Sequence, residues 1–305
     1  MNNIQYSNKT LNIVFFGSSE FSLTVLKELL DSSTIKVCTV VTKSDKKIGR
    51  NSSIQQNIIA KFAQGRGLNV VKVTSLLKDP TQLKGIFNKI DYAVVVSFGY
   101  ILPNEVLDLL PNLFINLHAS LLPKYRGASP IQQAVVSGDT VTGNSIMILD
   151  DKMDEGPILK NEKITIGFNQ TSKDLFSALA KSGSKLLIDT LLQHKSGKIK
   201  PTLQDPSKAT YTKLITKDEG FVTLTENYVD IYNKYRAYIQ WPGLYTNIQS
   251  LEKFLGITTK IDNKQLVVKL KKLALIDDNL HIEYLQLPNK PTISLKDFYN
   301  GYLIK

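Results

Sequence analysis

The feature that most constrains this chain is an alternation, over its first 190 or so residues, of short apolar runs with stretches of helical spacing. Leu11–Gly17 reads LNIVFFG, Ile35–Thr42 is IKVCTVVT, Asn69–Val73 is NVVKV and Asp91–Ser97 is DYAVVVS. Runs this short and this uniformly apolar suit strands buried on both faces, as in a parallel sheet. Between them, Phe21, Val25, Leu26, Leu29 and Leu30 recur at helical spacing after the turn Gly17-Ser18-Ser19-Glu20, and helices are predicted over Ser53–Gly65 and Leu76–Lys89. The pattern continues with a strand at Phe114–Ser120, a helix at Ile131–Gly138, strands at Asn144–Leu149 and Ile158–Ile166, and a helix from Thr171 through Leu192. Asp174 stands three residues after Thr171, a capping-box spacing. The order predicts an α/β domain on a doubly wound parallel sheet.

The alternation breaks at Lys195–Lys213, where Gly197, Pro201 and Pro206 accompany five lysines and one acid, Asp205. That stretch is predicted to be a basic linker. Beyond it come a short helix at Thr225–Ala237, a turn at Trp241-Pro242-Gly243-Leu244-Tyr245 and short segments such as Leu266–Leu270 and His281–Leu287, which suit a small β-barrel. The expected division is a polar tail over 1–10, a catalytic domain over 11–194, the linker over 195–213 and a second domain over 214–305.

The rest of the composition narrows the function classes. No apolar stretch approaches membrane-spanning length, and MNNIQYSNKT lacks the layout of a secretory signal, so a cytoplasmic location is expected. Cys38, the single cysteine, sits in an apolar run and reads as a buried thiol; the three histidines lack metal-ligand spacing, so no metal is expected. Neither GxGxxG nor a Walker loop occurs. The net charge of +11 favours a polyanionic partner. One basic cluster lies at Lys43–Arg50, KSDKKIGR, and the other is the linker.

Residues Phe114–Gln132 read FINLHASLLPKYRGASPIQ. In an extended strand Asn116 and His118 share a face, and the prolines and glycine that follow end the strand just beyond them. They would therefore stand at a strand's carboxyl end, where open α/β sheets bind ligands. An amide NH₂ and an imidazole N–H side by side can stabilise one oxygen that gains charge. Phe98-Gly99-Tyr100-Ile101-Leu102-Pro103 is apolar where a surface connection should be polar, which suits either core packing or the wall of a flat ligand's pocket.

HASLLPKYRGASPI resembles the signature of the folate-dependent formyltransferases, specifically the methionyl-tRNA formyltransferases. GSSEFS (where GTPEF is usual), SFGYILP, ILDDKMDEGPIL and YIQWPGLY resemble further stretches of that family, strongly over 11–166 and weakly after 250. The resemblance implies a Rossmann-like, mostly parallel catalytic domain, a basic linker and an OB-like C-terminal barrel that binds tRNA. Residue by residue it implies a catalytic trio of Asn116, His118 and Asp154. It further implies folate contacts at Ser120, Leu121, Leu122 and Pro123, and a pterin wall of Tyr100, Ile101 and Leu102. The family's basic loop ends in a Gly-Arg that matches Gly49-Arg50, with Lys46-Lys47-Ile48 replacing a proline-containing pattern. Lys43, Lys46, Lys47, Arg50, Lys198 and Lys200 are then the expected tRNA contacts.

The implied reaction moves the formyl group of 10-formyltetrahydrofolate, a co-substrate, to the α-amine of methionyl initiator tRNA. Asn116 and a protonated His118 would stabilise the carbonyl oxygen, and Asp154 would keep His118 cationic and accept the amine's proton. No metal is needed, and a monomer is expected. Two alternatives stand beside this reading: transfer to a nucleotide sugar or other small amine, and a catalytically dead RNA-binding relative.

Overall fold

The computed structural model describes residues 10–48 and 53–304, with backbone only at 46–48, 53 and 54. Seven strands make the main sheet: β1 (Leu11–Gly17), β2 (Ile35–Lys43), β3 (Asn69–Val73), β4 (Tyr92–Val96), β5 (Phe114–His118), β6 (Val141–Ile148) and β7 (Ile158–Thr165). Their order across the sheet is β7-β6-β5-β4-β1-β2-β3. The chain starts in the middle, winds out to β3, then returns to β4 on the other side of β1. β1 pairs in parallel with β2 and β4, β2 with β3, and β4 with β5. The switch point between β1 and β4 is where such sheets open a crevice beyond the strands' carboxyl ends.

β6 departs from the expected parallel sheet. It runs antiparallel to β5, with Ile115 opposite Ile148 and His118 opposite Ser145. Strand patterning could not reveal this, because a buried strand looks the same in either direction. The consequence matters for the site. The carboxyl end of β6 lies level with the start of β5, so the turn after it must carry Asp154 back toward His118.

Two predicted helices are shorter than expected. Ser53–Gln55 is a strand that pairs antiparallel with Lys46–Ile48, and helix α2 (Ile58–Gly65) follows α1 (Glu20–Leu30) only after Asn57. Asn57 Oδ1 accepts from the N–H of Ile59 and Ala60, which fixes the first turn at that residue. The base of the hairpin is tied by Asp45, which accepts from Asn57 N–H at 3.0 Å and pairs with Lys72 at 2.7 Å. Leu76–Lys89 keeps only a 3-10 turn at Pro80–Leu83, since Pro80 cannot sit inside a helix and Gly85 adopts φ 82°.

Phe16, Phe98 and Phe114 meet at 5.4 and 5.8 Å between ring centroids, and Leu102 packs into the same buried cluster. On the opposite face of β5, Leu117 lies against the helix Ser172–Lys195 at Gly183, where a Cβ would come within 3.0 Å of Leu117. Glycine is needed there for the helix to approach.

The described residues divide into two compact units, the first formed by 10–48, 53–130, 142–165 and 176–212, the second by 131–141, 166–175 and 213–304. In the first unit, Tyr211-Thr212 of the expected linker pairs in parallel with Arg126-Gly127. The second unit contains a four-stranded antiparallel sheet of Leu244–Asn247, Val267–Ile276, Asn279–Gln286 and Thr292–Ser294. A parallel bridge between Phe221 and Tyr245 adds to its edge. There Arg236 is buried and donates to Gln170 O at 2.8 Å and to Asn233 Oδ1.

Candidate active site

β5 ends in two polar side chains on the face that begins with Phe114. Asn116 is 9% and His118 6% exposed, so both must find partners inside the protein. His118 Nε2 lies 2.9 Å from the Tyr125 carbonyl, where it can only be a donor, and Nδ1 faces Asp154 Oδ2 at 3.6 Å. Both ring nitrogens thus face acceptors, an arrangement that a doubly protonated ring fits. Asn116 Nδ2 donates to Asp154 Oδ1 over 3.4 Å, and Gly127 N–H donates to Asp154 Oδ2 at 2.8 Å. Asn116, His118 and Asp154 therefore form one contiguous cluster, although 36 residues of chain separate the last two.

The two groups that flank His118 both sit on unusual backbone. Tyr125 has φ 62° and Asp154 φ 55°. Left-handed conformations are tolerable for aspartate but costly for tyrosine, and they persist where the surroundings over-determine them. Thr210 supplies part of that surrounding: its Oγ1 accepts from Tyr125 N–H at 2.8 Å and its carbonyl from Arg126 N–H at 2.8 Å.

Around Asp154 lies a second layer that sequence reasoning did not single out. Arg126, only 1% exposed, donates to Gln204 Oε1 from Nε and Nη2 at 3.1 and 2.9 Å, and from Nη1 to Tyr211 OH at 2.9 Å. Glu155 Oε1, 3.2 Å from Nη1, supplies the opposite charge and also accepts from Tyr211 OH. Arg126 belongs to the KYRGAS stretch, so an arginine inside the motif was the available signal. Gln204 and Tyr211 lie in an aperiodic, lysine-rich stretch that carried none. Further along the turn, burial raises the Asp150 carboxyl above its usual range, and the charges of Asp151 and Glu155 add to this.

Ser120, Leu121, Leu122 and Pro123 form the turn after β5. Ser145 Oγ donates to Ser120 O at 2.6 Å and accepts from Leu122 N–H at 2.9 Å. Lys124 N–H bonds Leu121 O, and Thr210 N–H reaches Pro123 O at 3.3 Å. These bonds hold the shape of the turn and leave its apolar side chains, Leu121 and Leu122, beside the end of β5. Of the Tyr100–Leu102 stretch, Leu102 packs into the aromatic core, Tyr100 is half-buried and Ile101 is 64% exposed. Lys43 donates to Gly99 O at 2.6 Å and lies 4.3 Å from the Tyr100 ring centre, so it faces this loop. Nearby, at the carboxyl ends of β1 and β2, a cleft of about 420 Å³ is lined by Ser18, Ser19, Glu20, Lys43 and the residues around Asn57.

Among the expected nucleic-acid contacts, Lys198 and Lys200 are exposed. Lys46 and Lys47 lie on the first strand of the hairpin, and Gly49 and Arg50 fall outside the described residues.

A doubly wound sheet that carries a close-set Asn–His–Asp cluster at the carboxyl end of β5 is a scaffold suited to acyl-group transfer. The Formyl transferase family model matches residues 11–191, and the Formyl transferase, C-terminal domain model matches 214–303; the chain belongs to the formyl transferase family. The methionyl-tRNA formyltransferase of Caldicellulosiruptor saccharolyticus is 35% identical across 97% of this chain and 98% of its own length. That of Campylobacter lari is 36% identical, covering 96% and 97%. Among solved structures, an N-formyltransferase from Helicobacter canadensis in complex with folinic acid and dTDP-3-aminofucose superposes with a TM-score of 0.63 at 18% identity, over 91% of this chain and 95% of that one. This second likeness is one of fold.

Proposed function

We propose that this chain transfers the formyl group of 10-formyltetrahydrofolate to the α-amine of methionine carried by initiator tRNA, in the cytoplasm and as a monomer. The observation that carries the chemistry is the cluster in which Asp154 accepts a hydrogen bond from Asn116 and faces His118 at 3.6 Å. The choice of acceptor rests on the relatives named methionyl-tRNA formyltransferase, which match from end to end.

In this reading the tRNA-borne amine attacks the formyl carbon, and the carbonyl oxygen gains negative charge as it does so. Asn116 has two amide hydrogens; one points to Asp154, and the other donates to that oxygen. A cationic His118 adds a positive centre beside it. Because Nε2 is engaged by the Tyr125 carbonyl, His118 acts through its charge, and direct donation would require that bond to be exchanged. Asp154, with an oxygen on each neighbour, receives the proton that the amine loses and returns it to the folate nitrogen as the bond between that nitrogen and the formyl carbon breaks, releasing tetrahydrofolate and formylated methionyl-tRNA.

The donor fits the turn at Ser120, Leu121, Leu122 and Pro123, with Tyr100 and Ile101 as an apolar wall and Leu102 supporting it from the core. The basic segments, Lys46, Lys47 and Arg50 on one side and Lys198 and Lys200 on the other, meet tRNA phosphates, while Lys43, turned to Gly99 O and the Tyr100 ring, faces the folate loop instead. Residues 11–194 serve as the catalytic domain, 195–213 as its basic extension and 214–305 as a tRNA-binding domain.

Transfer from 10-formyltetrahydrofolate should be measured with methionyl initiator tRNA and with a dTDP-linked amino sugar such as the one bound in the Helicobacter canadensis structure. Formylated methionyl-tRNA is expected. Product from the sugar alone would overturn the assignment of acceptor, and product from neither would remove the catalytic reading.

A further inference from the structure

Gln204 spends its whole hydrogen-bonding capacity on the site. Its Nε2 donates to two carbonyls on the turn after β6, those of Asp154 and Gly156, both at 2.8 Å. Its Oε1 accepts twice from Arg126, as described above. An amide has two donors and one oxygen with two lone pairs, so nothing is left over. The network also fixes which way the amide points, since a reversed group would set NH₂ against a guanidinium and oxygen against two carbonyls.

The surroundings make this bond set a clamp rather than a decoration. Two residues before Gln204, Thr202 exchanges both main-chain hydrogen bonds with Ile158 at 2.8 Å, so the same segment grips the turn on either side of Gly156-Pro157. On the other flank, Gly127 N–H holds the Asp154 carboxylate while the preceding residue's guanidinium holds Gln204. Asp154 is thus gripped at its carbonyl by Gln204 and at its carboxylate by Gly127, and both grips run back to the Arg126-Gly127 pair. That closed ring accounts for how Asp154 keeps a left-handed backbone.

We infer that Gln204 is a positioning residue for formyl transfer, setting the orientation of the Asp154 carboxylate toward Asn116 and His118. The inference rests on the reading that Asp154 acts in the transfer. It gives the segment between the two family domains a role beyond charge: the lysine-rich stretch carries the residue that orients the site's carboxylate.

The test is a double-mutant cycle in the full-length chain, following formyl transfer from 10-formyltetrahydrofolate to methionyl initiator tRNA. Gln204→Met keeps the side chain's length and removes all four bonds; Gln204→Glu keeps the acceptor side for Arg126 and removes the donors to Asp154 and Gly156. Misplacement of a reacting group by about 1 Å costs on the order of 10²-fold, so kcat should fall by roughly 30- to 100-fold in either variant, with KM for both substrates within about twofold. In an Asp154→Asn background the same change at Gln204 should cost less than about threefold, because its effect passes through the carboxylate. Gln204→Glu sets an oxygen against the Asp154 and Gly156 carbonyls and so lowers the melting temperature; kcat is therefore compared well below the melting point of each variant, where all are folded, which separates positioning from folding. Unchanged kcat in Gln204→Glu, or an equal fold-loss in both backgrounds, would overturn the inference. If Asp154→Asn alone transfers at the wild-type rate, the catalytic reading of Asp154 fails, and the positioning role falls with it.

Discussion

Truncating Asn116 separates a catalytic from a structural reading of the cluster most cleanly. The side chain is buried, yet its recorded bond is the 3.4 Å contact to Asp154 Oδ1, at the weak end of hydrogen-bond geometry. Asn116→Ala therefore removes one long bond and leaves Asp154 its Gly127 and His118 partners on the other oxygen. The cost in folding stability should be about 1 kcal/mol. If the second amide hydrogen stabilises the developing negative charge, loss of that donor should cost ~3–4 kcal/mol of transition-state stabilisation, a fall of roughly 10²–10³ in kcat. The rate loss exceeds the stability loss because the bond to the reacting oxygen strengthens only in the transition state. Steady-state formylation of methionyl-tRNA, paired with thermal melting of the same samples, reads both quantities. KM for the folate donor should hardly move. A folded Asn116→Ala protein that keeps kcat within threefold of wild type would refute the reasoning.

Replacing Lys46, Lys47 and Arg50 together by Ala should flatten the slope of log K for tRNA against log salt by about two to three units, at ~0.7–0.9 per phosphate contact, without changing folate affinity; parallel slopes would make the hairpin a solvated face. Gly127→Ala places a Cβ 2.3 Å from Thr212 O on backbone of φ 106°, so it should destabilise by roughly 1–3 kcal/mol and shift the N–H that holds Asp154, seen as a lowered melting temperature and lowered kcat together. Burial depresses His194 below its ordinary value of 6.5, with Tyr92 OH 3.0 Å from Nδ1. A depressed histidine favours the native state above the unfolded value, and that contribution is lost as pH falls below 6.5 toward the folded value. His194→Gln should therefore show a shallower fall in melting temperature between about pH 7 and 5.5; identical slopes would show that the ring titrates alike in the folded and unfolded states.

Much of the first unit could be read from local pattern because local forces decide it. Apolar runs such as LNIVFFG and DYAVVVS can be satisfied only as buried strands, and the spacing of helices between them leaves little choice of architecture. Asn116 and His118 were legible for the same reason: strand alternation sets them on one face, and the prolines and glycine after them stop the strand just beyond, at its carboxyl end. Asp154 was reachable through family resemblance alone, since four acids in a turn look like any solvated loop.

What the local pattern left open depended on pairing at long range. The direction of β6 shows only in its pairing with β5, because a strand buried on both faces reads alike in either sense. The failure of Leu76–Lys89 as a helix follows from Pro80 and Gly85 outweighing an apolar spacing. The segment 195–212 has the composition of a linker, but its polar groups are not spent on water. Gln204 and Thr202 bond the Asp154 turn, and Tyr211-Thr212 extends Arg126-Gly127. Hydrogen bonds between residues some 50 to 80 positions apart leave no periodicity in the sequence. Only once the sheet brings the motif loop and the acidic turn together do Arg126 and Gln204 have anything to hold.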